Sequence, residues 1–172
     1  MQSNKQDEKT SINSTELDKN ALELHKALSE LVRVYQFRDR NRICYYDVSV
    51  TQCYAIGAIL LHGAMTLNEL AAKLYLDKST ASRVVDSLDQ KGYVTRLVDP
   101  QDGRARVLEV TKKGKELHSR IEFDLVNEMK VLLADFDPDV RQATIRLFAR
   151  LVNAVKIRFS EKTKECAVER KD

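Results

Sequence analysis

Between Thr66 and Val110 the spacing of apolar residues changes character, and this constrains the fold more than any other feature of the chain. Leu67, Leu70, Ala71 and Leu74 recur at i, i+3, i+4, i+7, one face of a short helix, and Thr66 with Glu69 makes a capping-box pattern at its start. After Tyr75-Leu76 the pattern restarts. Asp77 is a good N-cap, Ala81, Val84, Val85 and Leu88 repeat the helical spacing, and Gly92 ends it. Two short helices joined by so few residues have helix-turn-helix spacing. From Gly92 the composition becomes that of strands. Tyr93–Val98 and Ala105–Val110 are rich in β-branched and aromatic residues, and the turn formers Asp99-Pro-Gln-Asp-Gly-Arg104 lie between them. A β-hairpin with a charged tip is predicted.

The flanking segments read as long helices, because only 5 Gly and 2 Pro are available to interrupt 172 residues. Leu17, Ala21, Leu24, Leu28, Leu31 and Tyr35 form a narrow stripe suited to packing against another helix. Arg33, Arg38, Arg40 and Arg42 then suggest a basic, irregular segment. Ser49 and Gln52 open a helix carrying Cys53, Tyr54, Gly57, Leu60 and Leu61, with Gly63 placed to end it. Thr111 should cap a helix with Leu117, Ile121, Leu125 and Met129 on one face. Asp137 and Pro138 open a last one, striped by Val140, Leu147, Phe148, Leu151 and Val155.

The expected fold is therefore mainly α: a winged helix-turn-helix with a small antiparallel β wing, plus a helical dimerisation region. A polar tail over 1–14, too poor in apolar residues to order, precedes dimerisation helices over 15–43 and 116–160. The winged helix-turn-helix is expected to span 44–115, and 161–172 to form a charged tail. No apolar run approaches the ~20 residues of a membrane helix, and the first residues hold no apolar leader-like stretch. A cytoplasmic protein with no membrane partner is expected. The three cysteines Cys44, Cys53 and Cys166 lack metal-type spacing, so neither a metal nor another cofactor is expected.

The net charge of +3 decides little, but its distribution is informative. Nine basic residues face six acidic ones between Asp77 and Lys115, which puts the positive footprint over the paired helices and the hairpin. On the second of those helices Ser79, Ser82, Arg83 and Asp86 lie away from the apolar face. Short hydroxyls let a backbone approach DNA, and Arg83 can fork onto guanine N7 and O6 in the major groove. Lys78 and Thr80 sit near the helix N-terminus, where phosphate contact is favoured. A solvated face is the ordinary explanation of such a pattern, and the neighbouring helix and hairpin argue against it here. At the hairpin tip Asp102 can hold Arg104 in one pose, with Arg106 beside it; an arginine so presented suits a narrow minor groove.

The runs Asp77-Lys-Ser-Thr-Ala-Ser-Arg83, Leu88-Asp-Gln-Lys-Gly92-Tyr-Val, Asp99-Pro-Gln-Asp-Gly-Arg104 and Val110-Thr-Lys-Lys-Gly114 resemble the MarR (multiple-antibiotic-resistance regulator) family. The resemblance covers about residues 17–160 and is most specific over 66–115. It implies a homodimeric winged-helix transcription regulator that binds double-stranded DNA at a pseudo-palindromic operator. It further implies a repressor relieved by a small aromatic effector or by thiol modification. Cys44 and Cys53 flank the joint near which the family places its effector site, but position 44 departs from the family's peroxide-sensing pattern. Arg42 would favour a Cys44 thiolate, although small core residues are the commoner use of such cysteines. His25, His62 and His118 are isolated and read as structural. No nucleophile–base pattern, phosphate loop or carboxylate pair points to an enzyme. A non-specific architectural DNA binder would carry a larger basic excess, and a winged-helix protein-interaction module would not need Ser79, Ser82, Arg83 and Arg104.

Overall fold

Capping chemistry sets most element boundaries in the computed structural model, which describes residues 4–98, 103 and 105–169, with side chains over 15–40, 43, 45–98, 103 and 105–158. The first helix, α1, spans Asn4–Ile43 and is followed by a single 3-10 turn, Cys44–Tyr46. Helix α2 (Val50–His62) opens on a capping box: the Ser49 hydroxyl accepts from the Gln52 backbone and the Gln52 side chain accepts from the Ser49 backbone. A short strand β1 (Met65–Thr66) leads into α3 (Leu67–Lys73), which Thr66 and Glu69 cap in the same reciprocal way. Helix α4 (Lys78–Gln90) is capped by Asp77, and its chain leaves through Gly92, whose φ of 72° favours glycine. Strands β2 (Val94–Val98) and β3 (Arg106–Val110) form the hairpin. Helices α5 (Lys112–Ala134) and α6 (Pro138–Glu169) complete the chain.

The small sheet is antiparallel with order β1-β3-β2. Leu108 on the central strand pairs with Met65 on one side and Arg96 on the other. Two residues of β1 are too few to show a period, which is why that strand has no sequence signature.

Two expectations are corrected. The helix α1 begins at Asn4, inside the segment 1–14 that its polar composition marks as disordered, because that segment holds no glycine or proline to break a helix. The basic stretch through Arg33, Arg38 and Arg40 is helical rather than irregular. Arginine is a good helix former, Arg38 is paired with Asp39, and Ile43 at the end of the helix is fully buried.

The chain divides into two compact units, Met1–Ile121 and Glu122–Asp172. The first contains the core, where Ile43, Ile56, Leu70, Val85, Leu88, Val94 and Ile121 are fully buried. In the second, the turn before α6 is closed by Arg141, which donates to the carbonyls of Phe136 (2.7 Å) and Ala134 (3.1 Å). Its helices leave Val131, Leu132, Val140, Leu147 and Val155 exposed. No described helix is long and apolar enough to cross a membrane.

Candidate nucleic-acid interface

Helix α4 has a buried face and an open one. Ala81, Val85 and Leu88 have no exposed surface, and they hold the helix against the core. Lys78, Ser79 and Arg83 are exposed, while Thr80 and Ser82 are half-buried. Among the described residues neither Lys78 nor Arg83 pairs with another side chain, so both cations remain available to a ligand.

The first turn is tied together by Asp77. Its carboxylate accepts from the Thr80 backbone (2.8 Å) and from the hydroxyls of Ser79 (2.6 Å) and Thr80 (2.7 Å). The Ser79 hydroxyl first, and then the two bonds from Thr80, hold the Asp77 carboxyl well below the usual carboxylate range. The Ser79 and Thr80 protons are thus committed within the helix, and what these side chains offer outward is small size and acceptor lone pairs. The Ser82 hydroxyl lies 3.4 Å from Asp86, too far for a strong bond.

Asp86 departs from the sequence reading. It shares the helix face with Ser82 and Arg83, but its carboxylate is paired with Arg96 of β2. Arg96 therefore links β2 to α4. The two partners lie ten positions apart, a separation that obeys no helical or strand spacing, so no local signal announces the pair.

The other end of α4 is fastened at several points. The Gln52 amide donates to Ser87 (2.8 Å), and the Lys91 ammonium donates to the Asp47 carbonyl. Lys113 donates to the Lys91 carbonyl (2.8 Å), and its ammonium lies 4.7 Å from the centre of the Tyr93 ring. Thr111 donates to the Gly92 carbonyl (2.7 Å) and accepts from Gly114 (3.1 Å). A Cβ on Gly114 would fall inside the van der Waals envelope of the Tyr93 carbonyl oxygen. The run Thr111-Lys-Lys-Gly114 is therefore a device for starting α5 tightly against the end of α4.

In the wing, Arg106 is exposed at the start of β3, opposite Val98. Asp102 and Arg104 lie outside the described residues. At the α1–α2 joint the expectation centred on cysteines. The Cys53 thiol is buried, and the Cys44 and Arg42 side chains lie outside the described ones. A described polar contact at this joint is made by Asp39, Arg38 and Tyr54. Asp39 accepts from Arg38 Nη2 (2.6 Å) and Nε (2.9 Å) and from the Tyr54 hydroxyl (2.9 Å), and Arg38 lies over the Tyr35 ring. Burial, then the bond to Asp39 and its charge, push the Tyr54 phenol up to about 12. Of the three histidines, His25 and His62 are exposed, while His118 packs on α2, its Nε2 2.9 Å from where a Gly57 Cβ would stand. Among the described residues no group of His, Cys, Asp or Glu is arranged to hold a metal.

Comparison with known proteins bears directly on this arrangement. Residues 46–105, from the joint to the wing, match the model of the MarR family. The Multiple antibiotic resistance protein MarR of Salmonella typhimurium is 33% identical over 110 residues, covering 59% of this chain and 76% of that protein. The chain belongs to the MarR family. A second relative, the HTH-type transcriptional regulator SarZ of Staphylococcus saprophyticus, is 31% identical over 116 residues, 67% of this chain and 76% of SarZ. The fold agrees: a MarR family protein from Bacillus stearothermophilus superposes with a TM-score of 0.75 at 23% identity, covering 81% of this chain and 97% of that one. This MarR family member is a winged-helix, DNA-binding transcriptional regulator, and α3 with α4 is its helix-turn-helix.

Proposed function

We propose that the chain acts as a homodimer that reads a pseudo-palindromic operator, with one α4 in the major groove of each half-site. The observation that carries this reading is the open half of α4, where Lys78, Ser79 and Arg83 project beside a fully buried Ala81. In these roles Arg83 reads a base edge, Lys78 meets phosphate, and Ser79, Thr80 and Ser82 let the helix backbone approach. The wing residues Asp102, Arg104 and Arg106 add a minor-groove contact. Dimerisation is supported by the apolar residues left exposed on α1 (Leu17, Leu22, Leu24, Val32) and on α6 (Val140, Leu147, Val155). A two-fold dimer reads half-sites about one DNA turn, on the order of 10 bp, apart.

Regulation follows the family pattern, as repression relieved by a small aromatic effector. Thiol chemistry at Cys53 is disfavoured because the residue is only 5% exposed, and a reactive thiolate needs access. Cys53→Ser should therefore leave DNA release by peroxide or by a salicylate-like acid unchanged. The testing experiment is selection of duplexes from a random pool. A two-fold-related motif at that spacing is expected, and recovery of unrelated sequences would refute operator reading.

A further inference from the structure

The geometry points to Gln52 and Lys91 as positioning residues of a clamp that fixes the recognition helix to the α1–α2 junction and so sets its reading pose; this rests on the DNA-reading role proposed above. Ser87, in the closing half of α4, and Lys91, its C-cap, are one helical turn apart on one side of the helix. Both are gripped by the same short stretch, residues 47–52. Gln52 is the upper jaw. Its amide is buried and doubly committed, with the oxygen accepting from the Ser49 backbone at 2.9 Å and the nitrogen donating to Ser87 at 2.8 Å. One side chain thus starts α2 and holds α4, and flipping the amide would break both bonds. Lys91 is the lower jaw, reaching the Asp47 carbonyl and, at 3.5 Å, its carboxylate. Asp47 holds a left-handed backbone (φ 59°), which turns the chain between the Cys44–Tyr46 turn and α2.

The clamp meets α4 at residues 87 and 91, while the DNA-facing side chains occupy 78–83. A shift at the junction therefore moves the reading end as a lever, through a rigid helix, without altering any DNA contact directly. Base reading depends on placing a forked donor to within a fraction of an ångström, whereas phosphate attraction tolerates displacement. Loosening the clamp should thus lower preference for the operator more than it lowers general affinity for DNA.

The test uses Ser87→Ala, Lys91→Met, the two combined, and Ser87→Thr, which restores the hydroxyl. Each is assayed against the duplex that the unmodified chain selects from a random pool and against an unrelated duplex of equal length. Thermal melts locate a temperature at which every variant is folded. Removing the Lys91 charge weakens all duplexes alike, so the readout is the ratio of the two affinities. The combined variant should lose about tenfold in that ratio, each single variant less, and Ser87→Thr should match the original chain. A folded combined variant with an unchanged ratio overturns the clamp, as does Ser87→Thr behaving like Ser87→Ala. An unmodified chain with no preference among duplexes overturns the base-reading role itself, and the clamp with it.

Discussion

The two halves of helix α4 are built on opposite principles. In its first half, residues 78–83, the short side-chain bonds stay within the first turn, where Ser79 and Thr80 bond Asp77; Ser82 has only a long contact to Asp86, and the two cations reach no described partner. In its second half, Asp86, Ser87 and Lys91 reach β2, α2 and the junction before α2, and the closing carbonyls are met by Lys113 and Thr111. One end is thus presented and the other anchored. A helix that must hold a base-reading side chain still needs this division, because an anchored end removes the freedom that binding would otherwise have to freeze. Function and stability should accordingly separate along a single helix.

The sharpest break of that separation is at the core face of the anchored half. Leu88 is fully buried, and Leu88→Ala should cost about 2–5 kcal/mol of folding stability in denaturant melts, with any DNA defect following from unfolding. Next is Gly114→Ala. The added methyl group meets a backbone carbonyl that cannot swing aside, so a loss of about 1–3 kcal/mol or more is expected by the same measurement. If this variant melts like the original chain, α5 is not held tightly against the end of α4.

Asp77→Ala should have a smaller effect, a lowered melting temperature from the lost cap. Its pH dependence has a definite sign. The Asp77 carboxyl is depressed in the folded chain, so its contribution is present above the ordinary Asp range near 4 and fades as pH falls through the depressed value. Tyr54 behaves oppositely. Its phenol is raised to about 12, so the bond to Asp39 stabilises fully below pH ~10 and is lost as pH climbs toward 12. Tyr54→Phe should flatten the alkaline limb alone. The least effect belongs to Lys78→Ala, which should leave folding intact, weaken all duplexes alike and lower the slope of log affinity against log salt by about one per contact.

What was legible in the sequence is what local chemistry decides. Ser49 with Gln52, Thr66 with Glu69, and Asp77 before Thr80 are caps spanning three residues, and each forms as its spacing predicts. The stripe Ala81, Val85, Leu88 identifies the buried face of α4 and, by subtraction, the open one. The joint was not legible. Gln52 meets Ser87 across 35 residues of sequence and Tyr54 meets Asp39 across 15, and such pairs appear only when the chain is folded. Spacing places Asp86 on the open face of α4 but cannot show that Arg96 will pair with it. A cysteine stands out in a sequence as a reactive side chain, whereas a carboxylate among arginines, such as Asp39, does not.

The claim that the open half of α4 reads bases is tested most directly by Arg83→Ala, titrated against the selected duplex and an unrelated one at the same salt. The account predicts a loss of about 1–3 kcal/mol per site on the selected duplex. Preference should relax at one base pair of each half-site, with melting stability changed by no more than about 0.5 kcal/mol. Equal weakening on both duplexes, with the base preference intact, would contradict it.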